Sequence, residues 1–413
     1  MAATADPTEG LNDDQSAADT DTARQRDGSH RRDRTGDANR TTTASGGCPR
    51  MSVELSTASV GDYLRKRGVV PAGATGEAES LGGGVSNRVV RFAWEGGCLV
   101  VKQPLANLAV DDDWPADLVR VHNEADALRA WRDLLGTGDP SGADRRSGDG
   151  DGRRVRVPDV VHEDRTDHVV AVTCAPAEET WKARLLDGTV EEWVAEAVGD
   201  ALGAVHRAAA DELSLAATFD GDRLFEQLRL DPYHRTTAER HPDVADAVLA
   251  EAERVADVER TLVHGDYSPK NVLVGGDSSG GDGERSGSAR DDVWIIDFEV
   301  AHWGDPAFDV AFLLNHLLIK SVYNGERHGA YTDVARAFFQ AYTERSGWDV
   351  EADTTAELAV LMLARVDGKS PVEYVQEGPV ADALRATAKR ALREEVRSLD
   401  GYLAVLEEER DAR

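Results

Sequence analysis

Two short runs constrain the fold of this chain more than anything else in it: Val263-His264-Gly265-Asp266-Tyr267-Ser268-Pro269-Lys270-Asn271-Val272-Leu273-Val274 and Ile295-Ile296-Asp297-Phe298-Glu299. In the first, Asp266 and Asn271 occupy a loop that runs into an apolar strand; in the second, Asp297 directly follows a short apolar strand. Between them lies Gly275 to Asp292, nearly devoid of apolar residues and unable to bury enough area to offset the entropy of ordering it. The pattern predicts a hairpin whose tip points away from the polar groups near its base.

The rest of the chain must supply the cores, and at 413 residues with 41% apolar content it can form two or three domains. Residues 1–50 do not contribute. They are rich in Asp, Thr, Arg, Gly and Ala without apolar periodicity, which predicts a disordered leader. Met51 is an alternative start. Arg24 to Arg34 is broken by Asp27 and Asp33 and is too mixed for a nucleic-acid-binding arm; the leader also lacks the apolar or acid-free amphipathic run of a targeting peptide. A net charge of -30, from 77 acidic against 47 basic residues, argues against nucleic-acid and membrane partners and for a solvated acidic surface of halophilic type. Cys48, Cys98 and Cys174 are odd in number and scattered, which suggests a reducing cytoplasm and neither a disulfide framework nor a metal cluster. No uncharged apolar run is long enough to span a bilayer.

Periodicity predicts a helix over Val53 to Gly68, strands on either side of Gly82-Gly83-Gly84, and a strand over Cys98 to Pro104. A helix over Asp117 to Leu135 and strands over Val155 to Val161 and His168 to Thr173 follow. From Cys174 to Glu179 the patterning turns helical, with helices over Glu191 to Ala209, Asp243 to Glu259, Phe308 to Lys320, Tyr331 to Gly347, Thr354 to Ala364 and Val380 to Val396. Gly138 to Arg154, like Gly275 to Asp292, reads as a solvent loop.

The Asp266 to Asn271 spacing matches a kinase catalytic loop, and Asp297 stands where a second metal-binding acid belongs. On these residues the chain resembles the aminoglycoside phosphotransferase and choline kinase family, small-molecule kinases with a protein-kinase-like fold. The resemblance extends over about residues 78–400. It implies an α+β bilobal architecture: a β-rich N-terminal lobe with one main helix, over 51–175, and a mostly helical C-terminal lobe, over 176–413. It also implies ATP and Mg²⁺ as cofactors and a small hydroxyl compound as acceptor; the expected protein is a cytoplasmic monomer or homodimer that works by direct in-line transfer without a covalent enzyme phosphate. Asp266 would orient the acceptor hydroxyl and take its proton late, since a carboxylate of pKa about 4 is a weak base. Asn271 and Asp297 would hold Mg²⁺ through oxygen, with Glu299 as a further metal candidate where protein kinases carry glycine. Lys102, in Val-Val-Lys-Gln, would bind phosphate and pair with Glu124 in the following helix; the simpler role for a strand-end lysine is to face solvent. Gly82, Gly83, Gly84, Ser86 and Asn87 form the nucleotide-loop candidate, although a triple glycine also suits an ordinary hairpin turn. Asp305 and Asp309, in the Gly-Asp-Pro-Ala-Phe-Asp tail, are expected to support the catalytic and metal loops, and His264, His206 and His316 to be structural.

A narrower resemblance, to methylthioribose kinase, rests on Val100 to Leu105, Asp113-Trp114-Pro115 and Val119 to Leu128. The C-terminal half departs from it, for Asp297-Phe298-Glu299 stands where that family has Asp-Pro-Glu. The acceptor pocket is expected in the C-terminal lobe, near the interhelical stretches Asp231 to Thr236 and Asp367 to Tyr374. There Arg235, Arg365 and Lys369 offer charge to an anionic or polyhydroxylated acceptor, with structural ion pairs as the plainer alternative. Other readings are a catalytically inactive nucleotide-binding module, a protein kinase and a purely structural helical protein. The first is opposed by the retention of Asp266, Asn271 and Asp297, and the second by the lack of an Ala-Pro-Glu motif after Asp297.

Overall fold

A computed structural model describes residues 53–82, 86–108, 114–136, 155–176, 179–275, 292–375 and 377–413. The N-terminal lobe is built on a sheet of β1 (Gly76–Ser80), β2 (Asn87–Trp94), β3 (Gly97–Pro104), β5 (Val160–Asp164) and β6 (Val169–Thr173), in the order β1-β2-β3-β6-β5 and antiparallel throughout. Strand alternation sends Leu99 and Val101 of β3 into a small core with Val60 and Leu64 of α1 (Val60–Lys66). Val100 and Lys102 consequently face the opposite side, where α2 (Arg120–Leu134) packs. The helix expected from Val53 onward starts only at Val60, because residues 53–55 are tied to β3: Leu55 N donates to Gln103 Oε1 (2.9 Å) and Gln103 Nε2 donates to the Val53 carbonyl (2.9 Å).

The strand expected over Val155 to Val161 divides at Pro158, which lacks the N–H a continuous ladder needs. Its first part, β4 (Val155–Arg156), pairs in parallel with β10 (Val293–Ile295), and β5 returns to the N-terminal sheet. A sheet of order β4-β10-β9-β7 results, with β7 at Glu179–Thr180 and β9 at Val272–Val274. β8 (Thr261–Val263) and β11 (His302–Gly304) form a separate antiparallel pair.

The remaining chain is helical: α3 (Trp181–Leu186), α4 (Glu192–Ala209), α5 (Leu213–Thr218), α6 (Asp222–Phe225), α7 (Thr236–Arg240), α8 (Ala245–Asp257), α9 (Pro306–Tyr323), α10 (His328–Ser346), α11 (Glu351–Asp367), α12 (Pro379–Arg393) and α13 (Leu399–Asp411). The α+β bilobal architecture expected from the sequence is present. α9 is buried from Pro306 through Val322, as befits the central helix of the lobe. α4 lies against α10 with backbones in near contact; a Cβ at Gly199 would come within 2.5 Å of the Phe338 carbonyl oxygen. The interruption expected at Asp231 to Thr236 is instead a π-helical segment, Glu226–Arg235, that carries Pro232 within it. The longer hydrogen-bond spacing of a π-helix lets a proline be accommodated and re-aims the side chains around it.

Cys98 and Cys174 are joined in a disulfide, with Cα atoms 5.6 Å apart. This corrects the reading of the cysteines as unpaired thiols. The register pairs Leu99 with Thr173, so the next residues along β3 and β6 come opposite one another although 76 positions separate them in sequence. Gly83 and Gly84 of the glycine loop, the leader, all of Gly138 to Arg154 and most of Gly275 to Asp292 lie outside the described residues. No described helix is long and apolar enough to cross a membrane.

Candidate active site

The loop after β8 is fixed by its glycine and by a buried aspartate behind it. Gly265 adopts φ +75°, and a Cβ there would stand 2.5 Å from the Val300 carbonyl oxygen, so both backbone conformation and space require glycine. Asp309, fully buried in the first turn of α9, accepts from the backbone N–H groups of His264 (2.7 Å) and Gly265 (2.9 Å). Behind it, His206 lies between Asp309 Oδ2 (3.3 Å) and the Tyr342 hydroxyl (3.1 Å). His264 is enclosed by Trp131, Tyr267 and Phe298, accepts from Asp266 N at Nδ1 (3.2 Å) and donates from Nε2 to the Ile296 carbonyl (3.2 Å). Burial, against the pull of Asp309 and Asp266, lowers its pKa, consistent with a neutral ring that organises the loop. Asp305 caps α9 through Ala307 N (2.9 Å) and pairs with Arg254 (2.5 Å), away from the loop's backbone contacts.

Asp266 emerges from this loop with two cations on its carboxylate: Lys270 Nζ at 2.9 Å and Arg229 Nη2 at 3.3 Å. Burial alone would raise its pKa, but Lys270 and Arg229 outweigh burial and hold the carboxyl below its usual range. Asn271 donates from Nδ2 to the Asp266 carbonyl (2.9 Å), which leaves its amide oxygen as the atom with metal-ligand capacity. Register brings Asp297 close: Val272 pairs with Ile295, and Ile296 N donates to the Asn271 carbonyl (3.0 Å).

Asp297 has φ +72°, a left-handed conformation that costs a non-glycine residue roughly 1–2 kcal/mol. This turn directs its carboxylate to Lys102, whose ammonium lies 3.0 Å from Asp297 Oδ1 and 2.5 Å from Glu124 Oε1. Burial would depress the Lys102 pKa, yet the two carboxylates raise it, so the side chain stays cationic. Burial opposes ionisation of Asp297 as well, and Lys102 and Lys270 still draw its pKa far down. Burial pushes Glu124 upward against the pull of Lys102. Lys102 is thus an internal link between β3, α2 and the β10 end, and it does not face solvent.

Glu299, the further metal candidate, receives two side-chain donors on one of its oxygens. Its Oε2 accepts from Asn87 Nδ2 (2.8 Å) and from Arg120 Nε (3.2 Å). Arg120, with no exposed surface, also donates to the carbonyls of Ser86, Leu105 (2.7 Å), Ala116 (3.2 Å) and Asp117 (2.8 Å). Glu299 therefore anchors the described flank of the glycine loop, Ser86 and Asn87, to α2, while Gly82 on the other flank is exposed. Among the described residues no group of three or more His, Cys, Asp or Glu side chains could hold a metal ion. A cation at Asn271 and Asp297 would draw its remaining oxygens from phosphates and water, as Mg²⁺ commonly does.

Residues 77–353 match the phosphotransferase enzyme family. The chain belongs to that family. As a family member it is an ATP-dependent phosphotransferase acting on small molecules. Similar solved structures include a choline/ethanolamine kinase family protein from Mesorhizobium loti, at 18% identity and TM-score 0.41, covering 84% of this chain and 98% of that one. An amicoumacin kinase in complex with AMP-PNP, Ca²⁺ and Ami is similar at 13% identity and TM-score 0.45, covering 82% and 94%. A Plasmodium vivax ethanolamine kinase is similar at 11% identity and TM-score 0.41, covering 88% and 90%. None of these likenesses bears on the acceptor. No curated protein matches the chain in sequence.

Sequence reasoning about this phosphotransferase assigned no role to three residues. Lys270 sits inside the loop motif, four positions after Asp266, and that spacing was its available signal. Arg229 comes from the π-helical segment, 36 residues before Gly265, whose carbonyl it also holds (2.6 Å); no local pattern indicates it. Arg120 begins the helix that carries Glu124, and only the fold reveals how many partners it gathers.

Proposed function

We propose that the chain transfers the γ-phosphoryl group of ATP to a hydroxyl of a sugar, an amino alcohol or a related metabolite, in a single in-line step. The observation that carries this reading is Lys102, shared between Glu124 and Asp297 beside the loop of Asp266 and Asn271. Lys102 would meet the nucleotide phosphates, with Gly82 to Asn87 covering them. Mg²⁺, bound through Asn271 and Asp297, would neutralise the phosphate oxygens and the charge that develops on transfer. Glu299 serves this arrangement by holding Asn87 and Arg120 in place.

Asp266 is ionised and fixed by Lys270 and Arg229, so it can orient a hydroxyl without reorganising. The acceptor oxygen forms a bond to the γ-phosphorus, the bond from that phosphorus to the ADP oxygen breaks, and the hydroxyl proton passes to Asp266 late in the step. ATP as donor favours a cytoplasmic site of action, an argument to which the cysteines no longer contribute. The acidic composition favours activity in high salt.

The test is MgATP-dependent product formation in high KCl, followed by mass detection across sugars, amino alcohols, aminoglycosides and hydroxy acids. Asp266→Ala should abolish the product while ATP binding persists. A product that forms equally well in that variant removes Asp266 from the reaction. ATP binding without any product supports the non-catalytic nucleotide-binding module instead.

A further inference from the structure

A cluster of cations in the C-terminal lobe has fewer carboxylate partners among the described residues than it has charges. Lys320, fully buried on α9, donates to the His316 carbonyl (3.1 Å) and the Tyr374 hydroxyl (3.1 Å), and among the described residues no carboxylate forms an ion pair with it. Arg365 of α11 donates to the Tyr233 hydroxyl (3.3 Å) and to Ser370 Oγ (2.9 Å), again with no carboxylate partner among the described residues, and its buried Nε has no hydrogen-bond partner. Lys182 of α3 approaches the same Tyr374 ring at 5.9 Å and pairs with exposed Glu373. In the same turn of α9 as His316, Asn315 is fully buried with neither amide atom partnered.

This is unusual in so acidic a chain, and another basic group in the molecule shows the contrast. In a 510 Å³ cleft lined by α12 and α13, Arg385, Lys389, Arg390 and Arg393 are matched by Asp367, Asp243 and Glu408. Lys320 instead is pressed by burial and by the charges of Lys182 and Arg365, which push its pKa down to about 7, with Glu373 opposing. A buried ammonium kept without a counter-ion is costly, and a bound anion would relieve it.

The cluster is contiguous with the reacting carboxylate. Arg229, which pairs with Asp266, lies 5.5 Å from the Tyr233 ring, and the Tyr233 hydroxyl receives Arg365. His316, one helical turn before Lys320, is depressed by burial and then by Lys320, Arg365, Lys270 and Lys182, so all four charges bear on one position. Tyr374 and the partly exposed Tyr323, with ring centroids 5.2 Å apart, border the site.

We propose that Lys320, Arg365 and Lys182 form an acceptor subsite for a carboxylate or phosphate-ester group carried by the hydroxyl compound that is phosphorylated at Asp266. The proposal rests on the kinase reading and narrows it: cationic acceptors such as amino alcohols and aminoglycosides are disfavoured by the same charges. Arg365 was among the cations the sequence offered for this role. Arg235, by contrast, pairs with Glu226, and Lys369 lies over the Trp114 ring at 5.1 Å.

Two measurements separate the subsite from the kinase activity. The first is calorimetric binding of inorganic phosphate to the full chain saturated with the non-hydrolysable nucleotide AMP-PNP and Mg²⁺, compared with Lys320→Met. Loss of one charged partner should weaken phosphate binding about tenfold or more. Equal affinity in the variant, or no binding to the parent chain, overturns the subsite whatever the catalytic outcome. Circular dichroism checks that the variant folds, and Arg365→Met provides the same comparison on a residue nearer the surface. The second is the ratio of kcat/KM for hydroxy acids and sugar phosphates over neutral polyols and amino alcohols. A preference for the anionic members that falls in Lys320→Met supports the proposal. A preference for neutral or cationic members refutes it and leaves the kinase reading intact, whereas phosphate binding that depends on Lys320 without turnover of any acceptor refutes the kinase reading alone.

Discussion

Replacing Arg120 with methionine should unfasten the nucleotide loop from the catalytic region, and the structure sets the size of the effect. The guanidinium is fully buried and serves Glu299 and the carbonyls of Ser86, Leu105, Ala116 and Asp117. Removing one partner of a buried ion pair costs roughly 3–5 kcal/mol, because the other charge stays behind uncompensated. Each stranded carbonyl adds about 1 kcal/mol, but one local relaxation serves them all, so the terms do not add fully. A loss of about 4 kcal/mol is therefore expected, a large share of the roughly 5–15 kcal/mol that holds a typical domain together. Urea unfolding by linear extrapolation measures it, alongside Mg-nucleotide affinity, which should fall because Ser86 loses its anchor and Glu299, which holds Asn87, loses its cation. Adding Glu299→Gln to Arg120→Met should restore part of the stability, since the orphaned charge is gone. Arg120→Lys should not rescue, because an ammonium cannot reproduce the planar fork. A Met variant within about 1 kcal/mol of the parent, or full rescue by lysine, would refute the anchoring role.

Other expectations follow from the same structure. Gly265→Ala should destabilise by about 2 kcal/mol or more, from the left-handed conformation and the contact with Val300, and thermal unfolding checks it. Asp297→Ala should weaken Mg-nucleotide binding more than nucleotide binding without metal, which calorimetry with and without Mg²⁺ resolves. Lys320 has a folded pKa of about 7, below its unfolded value, so the unfolded chain binds more protons over this interval. Stability of the parent relative to Lys320→Met should then rise as pH increases from about 7 toward 10, by up to roughly 1.4 kcal/mol per unit. A flat difference across that interval would show that Lys320 does not titrate as described. Breaking the Cys98–Cys174 bond, whose partners are 76 residues apart, should cost up to about 4 kcal/mol, and chemical unfolding of the Cys98→Ser variant measures this.

What could be read in advance was what local pattern determines. The apolar strands around Asp266 and Asp297, the apolar run that ends at Lys102, and the helix bearing Glu124 each show in the local sequence. Arg229 was not legible because it reaches Asp266 from a π-helical segment, and neither helix nor strand spacing foretells which way such a segment turns a side chain. The disulfide escaped notice for a related reason: it depends on strand register, which places Cys98 and Cys174 together only once β3 and β6 are known to be neighbours. Glu299 was read from its distance to Asp297 along the chain, whereas its partners, Asn87 and Arg120, are 212 and 179 residues away. The charge balance around Lys320 is a property of four elements meeting and has no counterpart in any one of them.

The hairpin that supplies Asn271 and Asp297 is closed at its far end by a hydrogen bond from Gly275 N to the Asp292 carbonyl (3.0 Å), beyond the rungs that pair Val272 with Ile295 and Val274 with Val293. Both reacting-site residues sit on the opposite side of those rungs. The spacing between the two is therefore set by backbone register and not by side-chain packing, so an exchange of β9 or β10 side chains that keeps the rungs leaves the two polar groups facing one another.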